Sequence, residues 1–220
     1  MLRRQFTSAI GAGALLAGAS AVSLGAAAQT PAFRLRPGKD FIELEKRAPV
    51  EAAAGRIEVV EFFWYSCPHC NAFEPAFEAW VKAAPKDLVV QRVPVGFRDD
   101  FAPQQRLFYA LEALGRLESM HRKVFHAIHN ERQTLNRDDL VLAWAERQGL
   151  DKARFTEAYQ SFAVGTKVRK ANQLQDAYRV EGVPALGIAG RYYTDGNLAG
   201  TMDRALLVAD ALIAEVRKSR

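Results

Sequence analysis

An α/β fold interrupted by an all-helical insertion is what this 220-residue sequence predicts, and three observations carry the prediction. A β-branched and aromatic run at 56–65 leads directly into Cys67-Pro68-His69-Cys70 and a helical pattern. A stretch from 99 to 165 then spaces its apolar residues only at helical intervals. Strand character returns at 183–188 and 192–193, before a last amphipathic helix.

The first 28 residues are set apart from that fold. Arg3 and Arg4 give a positive start, an uncharged Ala-, Gly- and Leu-rich run follows, and Ala26-Ala27-Ala28 offers small residues for cleavage. That order of regions is the pattern of a secretory signal peptide. The run is short and alanine-rich for a transmembrane anchor. Arg3-Arg4-Gln5-Phe6 fits a twin-arginine leader as well as an ordinary Sec leader, so the export route stays open. Removing 1–28 leaves 192 residues and lowers the net charge from +5 to +3. The remaining charge is spread along the chain, with no basic run or aromatic-interleaved stripe, so no nucleic-acid partner is expected.

Residues 29–40 are rich in Pro and basic side chains and read as an irregular arm, with a short strand at 41–44. The run at 56–65 is nearly unbroken, as expected of a strand buried on both faces. A helix starts at Ser66 or Cys67, with Pro68 in the first turn, where its missing N–H costs nothing. Phe73, Phe77, Trp80 and Val81 make its apolar stripe, and Pro75 predicts a kink. A strand at 88–95 completes a β-α-β unit with a parallel pair, and Pro94 marks its end or a sheet edge.

Leu107, Leu111, Leu114, Val124 and Ile128 then fall at helical spacings. Asn136 is a candidate cap for a second helix ending at Gly149, and Asp151 for a third with Phe155, Tyr159 and Phe162 as its buried stripe, stopping near Gly165. A long helix follows at about 166–178. Ala189-Gly190 joins the two late strands, and Thr201 or Asp203 starts the last helix, which carries Leu206, Leu207, Ala209 and Ile213. The expected division is 1–28 leader, 29–98 with 166–220 for the α/β part, and 99–165 for the helical insertion.

Cys67 and Cys70 are the only cysteines, so a zinc cage of thiolates is not available. A structural disulfide gains most by closing a long loop, yet this pair encloses only Pro68 and His69. A reactive role explains it better, and a close pair at a strand–helix junction is the thioredoxin-like pattern. His121, His126 and His129 share one helical stretch without an accompanying acid or cysteine cluster, so they are expected to be solvated helix residues and not metal ligands.

Glu61-Phe62-Phe63 shortly before Cys67-Pro68-His69-Cys70, then a helical insertion, then Gly182-Val183-Pro184-Ala185 and a hairpin, resembles the DsbA family over essentially the whole mature chain. The resemblance implies a thioredoxin-like fold interrupted by a helical insertion, and a periplasmic thiol:disulfide oxidoreductase. It further implies that Val183–Pro184 is a cis peptide packed against the cysteine pair. Val183 would then pair with extended substrate by strand addition. Reoxidation would fall to a DsbB-like quinone-linked membrane oxidase. No cofactor beyond the Cys67–Cys70 disulfide is expected, the substrates are reduced exported proteins, and the chain is expected to act as a monomer. The sequence departs from the family pattern at Gly187 and Ala189-Gly190, where a bulky strand residue and an Asn-Gly turn are expected, so a looser hairpin is anticipated.

The residues suggest how such a site works. Cys67 at a helix N-terminus meets unpaired N–H groups and the positive end of the dipole, which favour its thiolate. His69 adds an N–H donor or a charge. The thiolate exists only in the dithiol form, so stabilising it favours reduction of the disulfide and makes the protein an oxidant. Lowering its pKa from about 8.5 to roughly 4, a size the resemblance already implies, favours the dithiol at pH 7 by about 4 kcal/mol, on the order of 90 mV. Cys70, one turn on, is the partner that recloses the ring. Glu61, an acid inside an apolar strand, must be paired, exposed or protonated, and thioredoxin-like proteins carry a buried acid here that exchanges a proton with the inner cysteine. The competing expectations are a disulfide isomerase or reductase on the same fold, or a chaperone-like peptide-binding module with a merely structural disulfide.

Overall fold

The computed structural model describes residues 34–219, and the expected leader at 1–28 lies outside them. In chain order the elements are β1 (Ile42–Glu43), β2 (Ile57–Phe63), α1 (Pro68–Ala83), β3 (Leu88–Pro94), a 3-10 turn (Asp99–Phe101), α2 (Ala102–Ala113), α3 (Leu117–His129), α4 (Asp138–Arg147), α5 (Lys152–Gln160), α6 (Phe162–Ala177), β4 (Ala185–Ile188), β5 (Tyr192–Asp195), α7 (Gly196–Ala199) and α8 (Met202–Lys218).

The strands form one mixed sheet in the order β1-β5-β4-β2-β3. β2 and β3 run parallel, and β4 pairs antiparallel with β2 and β5. Every residue of β2 is buried. Side chains alternate across a strand, so Val60 and Phe62 enter the core shared with α2 to α6, whereas Ile57 and Val59 enter the core shared with α1 and α8. Two covered faces explain why the run is apolar apart from Glu58 and Glu61. β3 lies at the sheet edge, where Pro94 leaves no ladder bond unmade.

As expected, α1 runs on past Pro75, to Ala83. Several other elements differ from the sequence-based expectation for local reasons. The spacing of Leu107 to Ile128 is divided between two helices, because Gly115 at φ +64° ends α2 in a conformation that a side chain disfavours. Asn136 caps nothing; Arg137 precedes α4 and offers no side-chain cap. Asp151 does cap α5, accepting from Arg154 N at 2.8 Å. α5 nevertheless ends at Gln160, because Ser161 caps a new helix by accepting from Val164 N at 3.1 Å. The helix expected from 166 therefore starts at Phe162, and Phe162, assigned to a buried stripe, is 83% exposed. Leu207 likewise faces outward on α8, between the buried Leu206 and Val208.

The hairpin is not loose. The space above Gly187 is filled by the ring of Tyr178, against which a Cβ at Gly187 would collide. The same ring packs edge-on against Phe62, with centroids 5.3 Å apart. Its hydroxyl accepts from Gly190 N at 2.9 Å, which holds the turn itself. A large side chain has been supplied from the end of α6 instead of from the strand.

Replacing Gly187 with Ala is therefore expected to destabilise the fold by about 1–3 kcal/mol through overpacking. Tyr178→Phe, which keeps the ring and loses one hydrogen bond, should cost only about 1 kcal/mol. Urea unfolding of both variants measures the pair, and a Gly187→Ala variant as stable as the parent would show that the ring is not what fills the gap.

Candidate functional site

The end of β2 places the cysteines. After Phe63 the chain turns through Trp64, Tyr65 and Ser66, and Cys67 becomes the N-cap of α1, with extended backbone and no side-chain cap of its own. An N-cap lies among N–H groups that have no partner within the helix. Cys67 is 8% exposed and Cys70, one turn inside, 1%. Both are free thiols, and Pro68 and His69 between them are exposed. The expected Val183–Pro184 cis peptide is found, and it brings the Val183 carbonyl to 3.4 Å from Cys67 Sγ, where it accepts from the thiol. Pro184 is buried and Val183 half-buried. A groove of about 740 Å³ opens beside Gly182, and Glu43, Glu45, Asp176, Glu181 and Asp195 outnumber Lys46 and Arg179 along it.

The two thiols have opposite acidities. Hydrogen bonding from Cys70 lowers the Cys67 pKa to about 6; partial burial opposes this, while the backbone N–H groups of Cys70 and His69 and then the His69 charge assist. Burial, followed by the neighbouring Cys67, pushes the Cys70 thiol far up. At about 6, Cys67 titrates about one unit below pH 7, which favours the dithiol by about 1.4 kcal/mol, or about 30 mV for two electrons. That is smaller than the shift the family resemblance implies, and desolvation of Sγ works against the thiolate here.

Beneath the pair lies a charged cluster that the sequence reading largely missed. Glu61 is fully buried, and its pKa is pushed up to about 8 by burial, assisted by the charges of Glu74 and Glu78 and opposed by Arg92. Arg92, directly opposite it on β3, reaches Glu61 Oε2 at 2.9 Å. Arg92 also grips Glu74 of α1 with both terminal nitrogens, at 2.7 Å and 2.6 Å. Burial alone would raise Glu74, but its contacts with His121 and Arg92 bring it down to about 2. His121, expected to be solvated, is 5% exposed and stands 2.8 Å from Arg92 and 2.8 Å from the Tyr65 hydroxyl. The guanidinium lies over the Phe77 ring at 5.0 Å.

Signals for this cluster were present in the chain. Glu74 is four residues after Cys70, on the face that carries Phe73 and Phe77, and Arg92 stands with Gln91 inside a strand whose other residues are apolar. The other histidines have partners of their own: His129 donates from Nε2 to the Tyr65 carbonyl at 2.8 Å, and His126 pairs with Glu131 at 3.1 Å. Gln104, also unanticipated, donates to Ser66 Oγ at 2.6 Å, and Phe101 stacks on Trp64 at 4.0 Å.

Residues 58–207 match the model of a DSBA-like thioredoxin domain. The chain is 42% identical over 189 residues to the thiol:disulfide interchange protein DsbA of Bordetella parapertussis, covering 86% of this chain and 90% of that one. It is 40% identical over 183 residues to the DsbA of Burkholderia cepacia, covering 83% and 86%. The crystal structure of Pseudomonas aeruginosa DsbA superposes with a TM-score of 0.78 at 38% identity, covering 83% of this chain and 94% of that one.

Absorbance at 240 nm should report a thiolate titration of the dithiol form with its midpoint near 6. His69→Ala removes the smallest stabilising contribution and leaves the backbone donors in place, so the midpoint should rise by only about half a unit. A rise of two units or more would show that the imidazole and not the helix start controls the thiol.

Proposed function

The chain belongs to the DsbA-like thioredoxin family and is a thiol:disulfide oxidoreductase whose own cysteine pair is the redox group, and from that premise we propose that it donates the Cys67–Cys70 disulfide to newly exported proteins through a mixed disulfide on Cys67. The observation that carries this reading is the split between the two thiols: Cys67 at the helix start is acidic, and Cys70 one turn inside is driven far up by burial.

The chemistry follows from that split. A substrate thiolate attacks Cys67 Sγ, the Cys67–Cys70 bond breaks, and its electron pair leaves on Cys70. Cys70 cannot remain a thiolate in its buried position and takes a proton, for which the raised Glu61 carboxyl is the donor we assign. A second substrate thiolate then attacks the substrate sulfur of the mixed disulfide, and Cys67 leaves as a stabilised thiolate. The substrate has lost two electrons and the protein has gained them. Pro68 and His69 hold the short ring at the helix start, and the exposed His69 adds its charge to the Cys67 side. Val183 and Pro184 line the approach to Cys67, where an extended peptide can pair with the backbone of Val183.

We place the protein in the periplasm after removal of residues 1–28, with residues 29–98 and 166–220 as its thioredoxin-like part and 99–165 as the helical insertion. We assign its reoxidation to a DsbB-like quinone-linked membrane oxidase. The family relationship supports both assignments, since a disulfide donor must be returned to the oxidised state after each turnover.

Cys67→Ala should lose all oxidation of a dithiol peptide. Cys70→Ser, offered oxidised glutathione, should instead accumulate a glutathione mixed disulfide on Cys67 with release of one glutathione thiol, which intact-mass measurement detects, because no second protein thiol is left to resolve it. Turnover surviving in Cys67→Ala would sink the mechanism. The equilibrium constant with glutathione places the unaltered protein: a disulfide as hard to reduce as a structural one would favour the reductase reading, and intact holding activity in Cys67→Ala the chaperone reading.

A further inference from the structure

One nitrogen of Arg92, Nη1, faces more acceptors than it has hydrogens. It carries two hydrogens and faces three acceptors: Glu74 Oε2 at 2.7 Å, His121 Nε2 at 2.8 Å and Glu61 Oε2 at 2.9 Å. One hydrogen goes to Glu74 Oε2, while Nη2 adds an ion-pair contact to Oε1 at 2.6 Å. Glu61 and His121 therefore compete for the other.

The geometry also settles the state of His121. A guanidinium is a permanent donor, so the ring nitrogen 2.8 Å from it accepts, whereas Glu74 Oε2 is 3.5 Å from that same nitrogen. A neutral imidazole that accepts at Nε2 carries its hydrogen on Nδ1, and Nδ1 donates to the Tyr65 hydroxyl oxygen at 2.8 Å. Burial, which lowers the His121 pKa, favours the same neutral ring. Glu61 is left with a contested N–H on Oε2 and no hydrogen-bond partner on Oε1 among the described residues, at zero exposure. A carboxylate so placed is costly and takes up a proton.

We propose that His121, by taking the remaining N–H of Arg92, keeps Glu61 uncharged, so that the helical insertion maintains the proton that the thioredoxin-like part consumes when Cys70 leaves. His121 is thus a positioning residue. It acts through Arg92 and touches neither cysteine nor substrate. The inference rests on the disulfide-donor reading only for its use of the proton; the effect on Glu61 stands independently. The groups that bear on Glu61 are Arg92 on β3, Glu74, Glu78 and Cys70 on α1, and Tyr65 after β2, with His121 arriving from α3. Without an acceptor at 121, Arg92 can give Glu61 a full charge-assisted bond, and the carboxylate becomes the favoured form.

His121→Leu and His121→Gln test this, with the Glu61 carboxyl followed by carbon-13 NMR. Leucine removes the acceptor, and the Glu61 midpoint should fall by at least about one unit, or about tenfold in proton affinity. Glutamine keeps an acceptor and should leave the midpoint within about half a unit of the parent. Leucine is also more apolar than imidazole, so burial alone would move the midpoint upward; a midpoint that stays or rises in His121→Leu overturns the proposal. Reduction of the disulfide by a small dithiol should be several-fold slower in His121→Leu above pH 7 and unchanged near pH 5, where Glu61 keeps its proton in both proteins. Nitrogen-15 NMR of the unaltered protein gives a check that does not depend on the folding of any variant. It should show a neutral His121 ring with hydrogen on Nδ1 at pH 7, and an imidazolium or an Nε2–H ring overturns the proposal. Loss of dithiol oxidation in the unaltered protein would refute the donor function without touching either NMR result.

Discussion

Arg92 is the one cation on which the arrangement beneath the cysteines depends. Two acidic side chains from different elements, Glu61 on β2 and Glu74 on α1, are buried within reach of it. Buried charges and polar groups are costly unless they are paired or hydrogen-bonded, so these side chains restrict the positions of the backbones that carry them. The Glu61–Arg92 contact joins facing residues of the parallel β2–β3 pair, and a one-residue slip would turn one of them to the other face of the sheet. The Glu74–Arg92 grip sets the rotation of α1 about its axis. Cys70 lies one turn before Glu74 on that same face, so the grip also buries Cys70 and leaves Cys67 at the rim.

The difference between the cysteines follows from that rotation more than from their own chemistry. Three residues apart on one helix, the same thiol is lowered to about 6 at the terminus and driven far up one turn inside. The first lies among backbone donors that lack carbonyl partners; the second has lost water and gained a thiolate neighbour. A pair with matched acidities could exchange disulfides in either direction. With the leaving thiolate stabilised on Cys67 and disfavoured on Cys70, the dithiol form is the resting place for electrons, and the disulfide form is the one that reacts.

What the sequence made legible were features with a strong local cause. The largely apolar run of β2, Pro68 after the N-cap, the cap at Asp151 and the proline at Val183–Pro184 each speak through their neighbours in the chain. Glu61 was legible because an acid in an apolar strand is conspicuous. Glu74 and His121 were not, because each sits in a helix that also has a solvated face, and spacing alone does not tell a buried polar side chain from an exposed one. Only the meeting of β2, β3, α1 and α3 shows that four polar groups share one site. The hairpin at Ala189-Gly190 was misjudged for the opposite reason: the void at Gly187 is local, whereas the Tyr178 ring that fills it comes from the far end of α6.

The helical insertion is also tied to the stretch that delivers the cysteines. Residues 64–66 connect β2 to α1, and each is held from the insertion or its leading turn: Trp64 by the stacked ring of Phe101, Tyr65 by His121 and His129, Ser66 by Gln104. A neutral hydrogen bond contributes only about 1 kcal/mol to stability, so these contacts matter less for whether the protein folds than for where a three-residue link is held. The link has no ladder or helical hydrogen bonding to define it fully, and a small change in its path moves the N-cap relative to Val183 and Glu61 relative to Arg92. The insertion therefore acts on the redox pair twice, through the backbone that positions Cys67 and through the imidazole that competes for Arg92. Tyr65 touches both routes, since its carbonyl accepts from His129 while its hydroxyl accepts from the same His121 that contacts Arg92.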